Sequence, residues 1–159
     1  MIIKEIAIEN FRSYYGKNVI SFKDGLMLFV GDNGDGKTTF FEALEWLFDT
    51  SKQNSDYRLI SEKRLSELPE YESDTLLVSM TFEHDGEKIV EKSFTFKKTA
   101  KNEFKSEDFQ YKGWYVKGVE RIQIHGGKLL DRCFDAAIRK YCLFKGEENL
   151  NVFNSTLVN

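Results

Sequence analysis

The sequence predicts a single α/β domain, and three observations carry that prediction. Three strand-like segments fall within the first thirty residues, and the last of them, "LMLFV", runs straight into a glycine-rich turn. Directly after the turn the apolar period changes from that of a strand to that of a helix. Further on, the stretch "TLLVSMTFEHDGEKIVEKSFTF" alternates as a hairpin does. At 159 residues, with 41% hydrophobic and 14% aromatic residues including fourteen Phe, the chain has enough material for one core. The formal net charge of −3 removes any whole-chain argument for nucleic acid, so such a site would have to be a local patch.

Each element follows from its pattern. Ile2, Ile6 and Ile8 place one face of a first strand inward, with Lys4 interrupting that face. "RSYYGK" reads as a turn, "NVISF" as a second strand and "KDG" as a tight turn. "LMLFV" has no polar alternation, as expected of a strand covered on both faces. Phe40, Leu44, Leu47 and Phe48 then recur at helical spacing with Glu42 and Glu45 turned away. Residues 49–74 are polar, hold the only proline, Pro69, and read as a surface insertion with a short helix around "RLISEKRLSEL". In the hairpin that follows, Leu76, Val78, Met80 and Phe82 alternate, and Asp85-Gly86 supplies a favoured two-residue turn. "KKTAKNEFKSED" reads as a loop, and "FQYKGWYVKG" and "ERIQI" as two further strands. After "HGG", Leu130, Cys133, Phe134, Ala137, Ile138 and Tyr141 keep helical spacing.

Between the third strand and the first helix, residues 31–38 read Gly-Asp-Asn-Gly-Asp-Gly-Lys-Thr and fit the phosphate-binding pattern G-x-x-x-x-G-K-[ST]. Gly31, Gly34 and Gly36 let the backbone wrap with its N–H groups inward, and the following helix adds its own unpaired N–H groups and positive dipole end. Lys37 is the point charge for the β- and γ-phosphates, and the Thr38 hydroxyl is a ligand for Mg²⁺. The carboxylates of Asp32 and Asp35 would repel phosphate and are expected to face solvent, although Asp35 counts among the nucleotide-binding positions of the loop. The strand before and the helix after are the context that separates this motif from an incidental glycine turn.

From "IENFRSYYGKNVISFKDGLMLFVGDNGDGKTTFFEAL" onward the chain resembles the amino-terminal lobe of the ABC-type ATPase heads of SMC-like DNA-repair ATPases. SbcC and the ATPase of the eukaryotic break-repair nuclease complex are the nearest kinds, with RecF, RecN and DndD close by. The resemblance covers residues 2–48 best and extends to "FEHDGEKIVEKSFTF" and the helix leading to "FKGEE". It implies a P-loop NTPase fold in which an antiparallel β-subdomain packs on the P-loop helix. It implies that Asn33, Gly34, Asp35, Gly36, Lys37, Thr38 and Thr39 wrap ATP with Mg²⁺, and that Arg12 and Ser13 approach the nucleotide from the first strand–loop. Lys145 stands where the family carries its Q-loop glutamine, and an ammonium cannot ligate a cation. DndD-like members resemble this departure. Neither a Walker B segment nor a signature loop occurs in these 159 residues; "RLSELPE" lacks the glycine pair of the latter. The chain therefore reads as one lobe over residues 1–159, with a coiled coil and a carboxy-terminal lobe expected beyond it. The partners implied are that lobe, a second head in a homodimer, DNA, and a nuclease.

The remaining features have ordinary readings beside the functional ones. Cys133 and Cys142 lie nine apart without metal-type neighbours and read as reduced thiols. No apolar run approaches a membrane span and no signal-peptide core is present, so a soluble cytoplasmic protein is expected. Lys97, Lys98, Lys101 and Lys105 interleave with Phe94, Phe96 and Phe104, either as a DNA-facing rim or as a solvated hairpin end with its aromatics in the core. His84 and His125 read as turn and helix-start residues, and Trp46 and Trp114 as packing residues. Four functions stay open on the residues alone: an ATP-gated DNA-processing machine, the ATPase start of an OLD-type defence nuclease, a small-molecule kinase lacking an apparent lid, and a nucleotide-binding half-site without hydrolysis of its own.

Overall fold

The computed structural model describes residues 2–22, 37–50 and 55–134. Six strands form one sheet: β1 (Ile2–Phe11), β2 (Tyr14–Ser21), β3 (Ser73–Glu83), β4 (Glu87–Ala100), β5 (Glu103–Lys117) and β6 (Glu120–His125). Their order is β2-β1-β3-β4-β5-β6, and every neighbouring pair is antiparallel. Three helices accompany it: α1 (Lys37–Phe48), α2 (Glu62–Glu67) and α3 (Gly126–Cys133), with a 3-10 turn at Tyr57–Leu59. The predicted third strand at 26–30, the glycine loop at 31–36, Cys142, Lys145 and the helical positions Ala137, Ile138 and Tyr141 lie outside the described residues.

The core lies between one face of the sheet and the helices. Ile6, Ile8, Val78, Met80, Phe82, Val90, Phe94 and Phe96 supply the sheet side. Phe40, Leu44, Leu47 and Phe48 of α1 are buried against it, as their spacing predicts, and so is Trp46, with ring centroids 6.0 Å from both Phe11 and Phe94. Burying such side chains contributes about 1.5–3 kcal/mol each before entropy is counted. The polar stretch after α1 also reaches inward: Ile60 and Leu68 are buried, and Phe11 bridges to Ile60.

Three local expectations are corrected. "KKTAKNEFKSED" is not a loop: β4 continues to Ala100 and β5 begins at Glu103, leaving a turn of only Lys101 and Asn102, the latter at φ 61°. Past Phe96, the last core residue of β4, Lys97 pairs with Lys105 and Lys98 with Phe104, so this end of the ribbon needs no continuous apolar face. "RSYYGK" is a turn only at Arg12 and Ser13, because β2 already starts at Tyr14. The β3–β4 turn has three residues, not two: Glu83 pairs with Glu87, and both Asp85 (φ 51°) and Gly86 (φ 100°) take left-handed backbone.

The last helix packs closely on β5. A Cβ on Gly113 would lie 2.8 Å from Leu129 Cδ2, and one on Gly126 would lie 2.7 Å from Tyr111 Cε1. Glycine at both positions is what lets α3 approach the strand. Phe134, just past α3, meets Phe48 and Phe82, each at 5.8 Å between ring centroids.

Candidate functional site

The β1–β2 turn is held in a strained shape by one buried asparagine. Asn10 (φ 54°) and Arg12 (φ 47°) both take left-handed backbone, which asparagine tolerates better than most residues. Asn10 Nδ2 donates to the Thr75 carbonyl at 3.0 Å and to Asp74 Oδ2 at 3.2 Å, and its Oδ1 accepts from the Gly16 amide at 2.9 Å. Its own carbonyl accepts from the Ser61 amide at 2.9 Å, and the Arg12 amide donates to the Leu59 carbonyl at 2.8 Å. The segment after α1 is thereby stitched to the end of β1. Arg64 completes the joint, its Nε 2.5 Å from Asp74 Oδ2.

This stitching creates a cleft of about 470 Å³ lined by Arg12, Ser13, Tyr15, Thr39, Arg58, Ile60, Ser61, Glu62 and Lys63. Three pieces of chain far apart in sequence meet there: the β1–β2 turn, the first turn of α1, and the segment leading into α2. Arg12 Nη1 lies 2.8 Å from Glu42 Oε2, so α1 itself orients the guanidinium. Arg58 Nη2 lies 2.6 Å from Asp56 Oδ2, and these hydrogen bonds push the Asp56 carboxyl below its ordinary range. Lys63 Nζ sits 4.4 Å from the centroid of the Tyr15 ring, whose hydroxyl donates to Glu67. The lining carries Arg12, Arg58 and Lys63 against Glu62, and Glu42 and Asp56 already pair with the two guanidiniums, so the cleft is polar with mixed charge.

Of the predicted site residues, the structure brings Arg12, Ser13 and Thr39 to one cleft. Lys37 opens α1, Thr38 is exposed in its first turn, and no acidic residue occupies that turn to offset the positive end of the helix. Asn33, Gly34, Asp35 and Gly36 lie outside the described residues. The first turn thus offers the chemistry a nucleotide's phosphates require. Among the described residues no group of three or more His, Cys, Asp or Glu side chains gathers as a metal cage. The exposed Thr38 side chain is an oxygen donor of the kind Mg²⁺ takes beside waters and substrate phosphates.

The other end of α1 holds two residues with no place in the sequence reading. Lys92 lies on the core face of β4 between Val90 and Phe94 and is fully buried. Its Nζ donates to the carbonyls of Trp46 at 2.6 Å and Asp49 at 2.7 Å, and the Tyr111 hydroxyl donates to that of Leu47. Burial pushes the Lys92 ammonium down to about 8, with Asp49 acting the other way. A cation breaking an otherwise apolar alternation was the signal available for Lys92; Tyr111 offered none.

With this geometry established, comparison with known proteins assigns the chain. The family described as an AAA domain matches residues 5–157. The chain belongs to that family. A solved structure concerning ATP-driven dimerization and DNA-stimulated activation of SMC ATPases superposes on this AAA domain with a TM-score of 0.54 at 16% identity, covering 97% of this chain and 98% of the other. The fold is therefore of the P-loop NTPase type found in SMC-like, ABC-type heads. The chain is similar to the DNA double-strand break repair Rad50 ATPase of Methanocaldococcus jannaschii, at 36% identity over 63 residues, or 40% of this chain and 6% of that protein. It is similar also to the DNA replication and repair protein RecF of Streptococcus uberis, at 47% over 47 residues, 30% of this chain and 13% of that one. The AAA domain chain thus spans a small part of the length of these relatives.

Several of the remaining sequence candidates have packing or turn roles. Phe94 and Phe96 are core residues, so they are closed to stacking on a base; Lys98 Nζ lies 5.9 Å from the Phe104 ring centroid and Lys105 3.9 Å from Glu107. His125 precedes α3 and meets the Tyr111 ring edge-on at 5.3 Å, and His84 sits in the β3–β4 turn. Trp114 lies on the sheet under Arg121, 5.4 Å from its centroid. Among the described residues, no helix is long and apolar enough to cross a membrane.

Proposed function

We propose that this AAA domain binds ATP with Mg²⁺ through residues 33–39 and serves as the first lobe of an ATPase head that works on DNA. What supports the reading is the coincidence of two independent features. The last two residues of the phosphate-binding motif, Lys37 and Thr38, are the first two of α1, and Arg12, Ser13 and Thr39 line one polar cleft beside that first turn. In this reading the backbone of Asn33, Gly34, Asp35 and Gly36 cradles the phosphates, Lys37 neutralises them, and Thr38 holds Mg²⁺. Arg12, held by Glu42, and Ser13 form the rim. Hydrolysis requires further groups, because phosphoryl transfer depends on positioning and charge stabilisation from every side of the γ-phosphate. A carboxy-terminal lobe and a second head supply them, and a nuclease partner uses the resulting motion on DNA in the cytoplasm.

The test is ATP turnover by the intact protein and its Lys37→Ala variant. Turnover in the variant should fall by about two orders of magnitude, as expected when a main charge contact to the transferring phosphoryl is lost. Undiminished turnover would overturn the reading. Arg12→Ala should instead raise KM for ATP several-fold with a smaller change in kcat, because a rim contact contributes binding common to ground and transition states.

A further inference from the structure

The last carbonyls of a helix have no partner within it, and those at the end of α1 are met by two side chains of the sheet. Lys92 Nζ reaches the carbonyls of Trp46 and Asp49, and the Tyr111 hydroxyl reaches that of Leu47. The two residues are cross-strand partners on β4 and β5, so one rung of the sheet grips two carbonyls of the helix and that of Asp49 just past its end. Around the ammonium stand the rings of Trp46 and Tyr111, with centroids 5.1 and 4.7 Å away.

Burying a cation strips it of water, and an apolar residue would pack α1 on the sheet without that cost. Apolar contact, however, is non-directional and leaves a helix free to adjust along its axis. Directed bonds to three carbonyls specify a single axial position. Because α1 is a rod of twelve residues, Thr38 and Thr39 in its first turn lie roughly 10–16 Å from this grip.

We propose that Lys92 and Tyr111 are positioning residues for the nucleotide site: by fixing the end of α1 they set where Thr38 and Thr39 stand against Arg12 and Ser13. The inference rests on the nucleotide reading for its ligand, while its geometry is independent of that reading. Tyr111 also touches the start of α3 through Gly126, so the same rung ties both helices to β5.

The experiment compares the intact wild-type protein with Lys92→Met, Tyr111→Phe and Lys37→Ala. Hydrogen exchange of the α1 and β3 peptides is followed without nucleotide, and ATP·Mg²⁺ affinity is measured by titration calorimetry well below each variant's own Tm. Lys92→Met should speed exchange in α1 and raise the Kd for ATP, each by about tenfold, with β3 protection kept. Tyr111→Phe, which keeps the ring and removes one donor, should raise Kd by about threefold. Wild-type α1 exchange and Kd in folded variants would overturn the inference, and so would a loss of protection shared equally by α1 and β3. Should the wild type bind no ATP through Lys37, the nucleotide reading falls, and so does the proposal that these residues position its site; the α1 exchange then reports only on how the helix is held.

Discussion

At the scale of single residues, polar side chains in the core do the most to define this molecule. Lys92 has its folded-state pKa lowered from the ordinary 10.5 to about 8, chiefly by burial. Between these values the unfolded chain holds a proton that the folded chain has shed, so stability should rise as pH climbs through that window. Wild type should gain stability over Lys92→Met from pH 8 to pH 10 in thermal melts, and parallel curves for the two would refute this. Asn10 is the second such residue. Asn10→Ala removes bonds to Gly16, Asp74 and Thr75 at a left-handed position and should cost about 1–3 kcal/mol in denaturant unfolding. Neither role was legible in the sequence: Lys92 was visible only as a cation on an apolar face, and Asn10 only as an asparagine before a turn.

At the scale of elements, the patterns that bury a face were readable and the ones that do not were missed. α1 was evident because Phe40, Leu44, Leu47 and Phe48 all point into the core. The distal parts of β4 and β5 were hidden because their residues pair with each other past the main core, where charge and half-exposure are tolerated. The close seat of α3 on β5 left a trace only as glycines. Gly126→Ala should cost about 1–3 kcal/mol, because its methyl would press on the Tyr111 ring and the helix would have to move. A Tm equal to wild type would mean that α3 is not so tightly seated.

At the scale of the whole molecule, the sheet is covered by α1 and α3 on one face and carries charge on the other. Glu91 there has its carboxyl pushed above the ordinary 4.5 by burial, against the lowering influence of Lys112 and Lys17. The folded state then holds this proton more tightly than the unfolded one, so stability is lost as pH rises through the acid range. Glu91→Gln should therefore raise Tm at pH 7 relative to wild type and lose that advantage near pH 4. The overall architecture follows from the sequence because the glycine loop, the helix after it and the alternating hairpin each demand a specific neighbour. The part of the cleft wall that comes from the segment before α2 did not follow, since Arg58 and Lys63 join Arg12 and Thr39 only once Asn10 has tied that segment to the end of β1.

The proposed function requires that α1 and the loop before it hold a nucleotide. Equilibrium binding of ATP·Mg²⁺ to the intact protein, set beside Lys37→Ala, tests it most directly. Saturable binding is expected, weakened by about a hundredfold or more in the variant. Equal binding by both proteins, or none by the wild type, would contradict it.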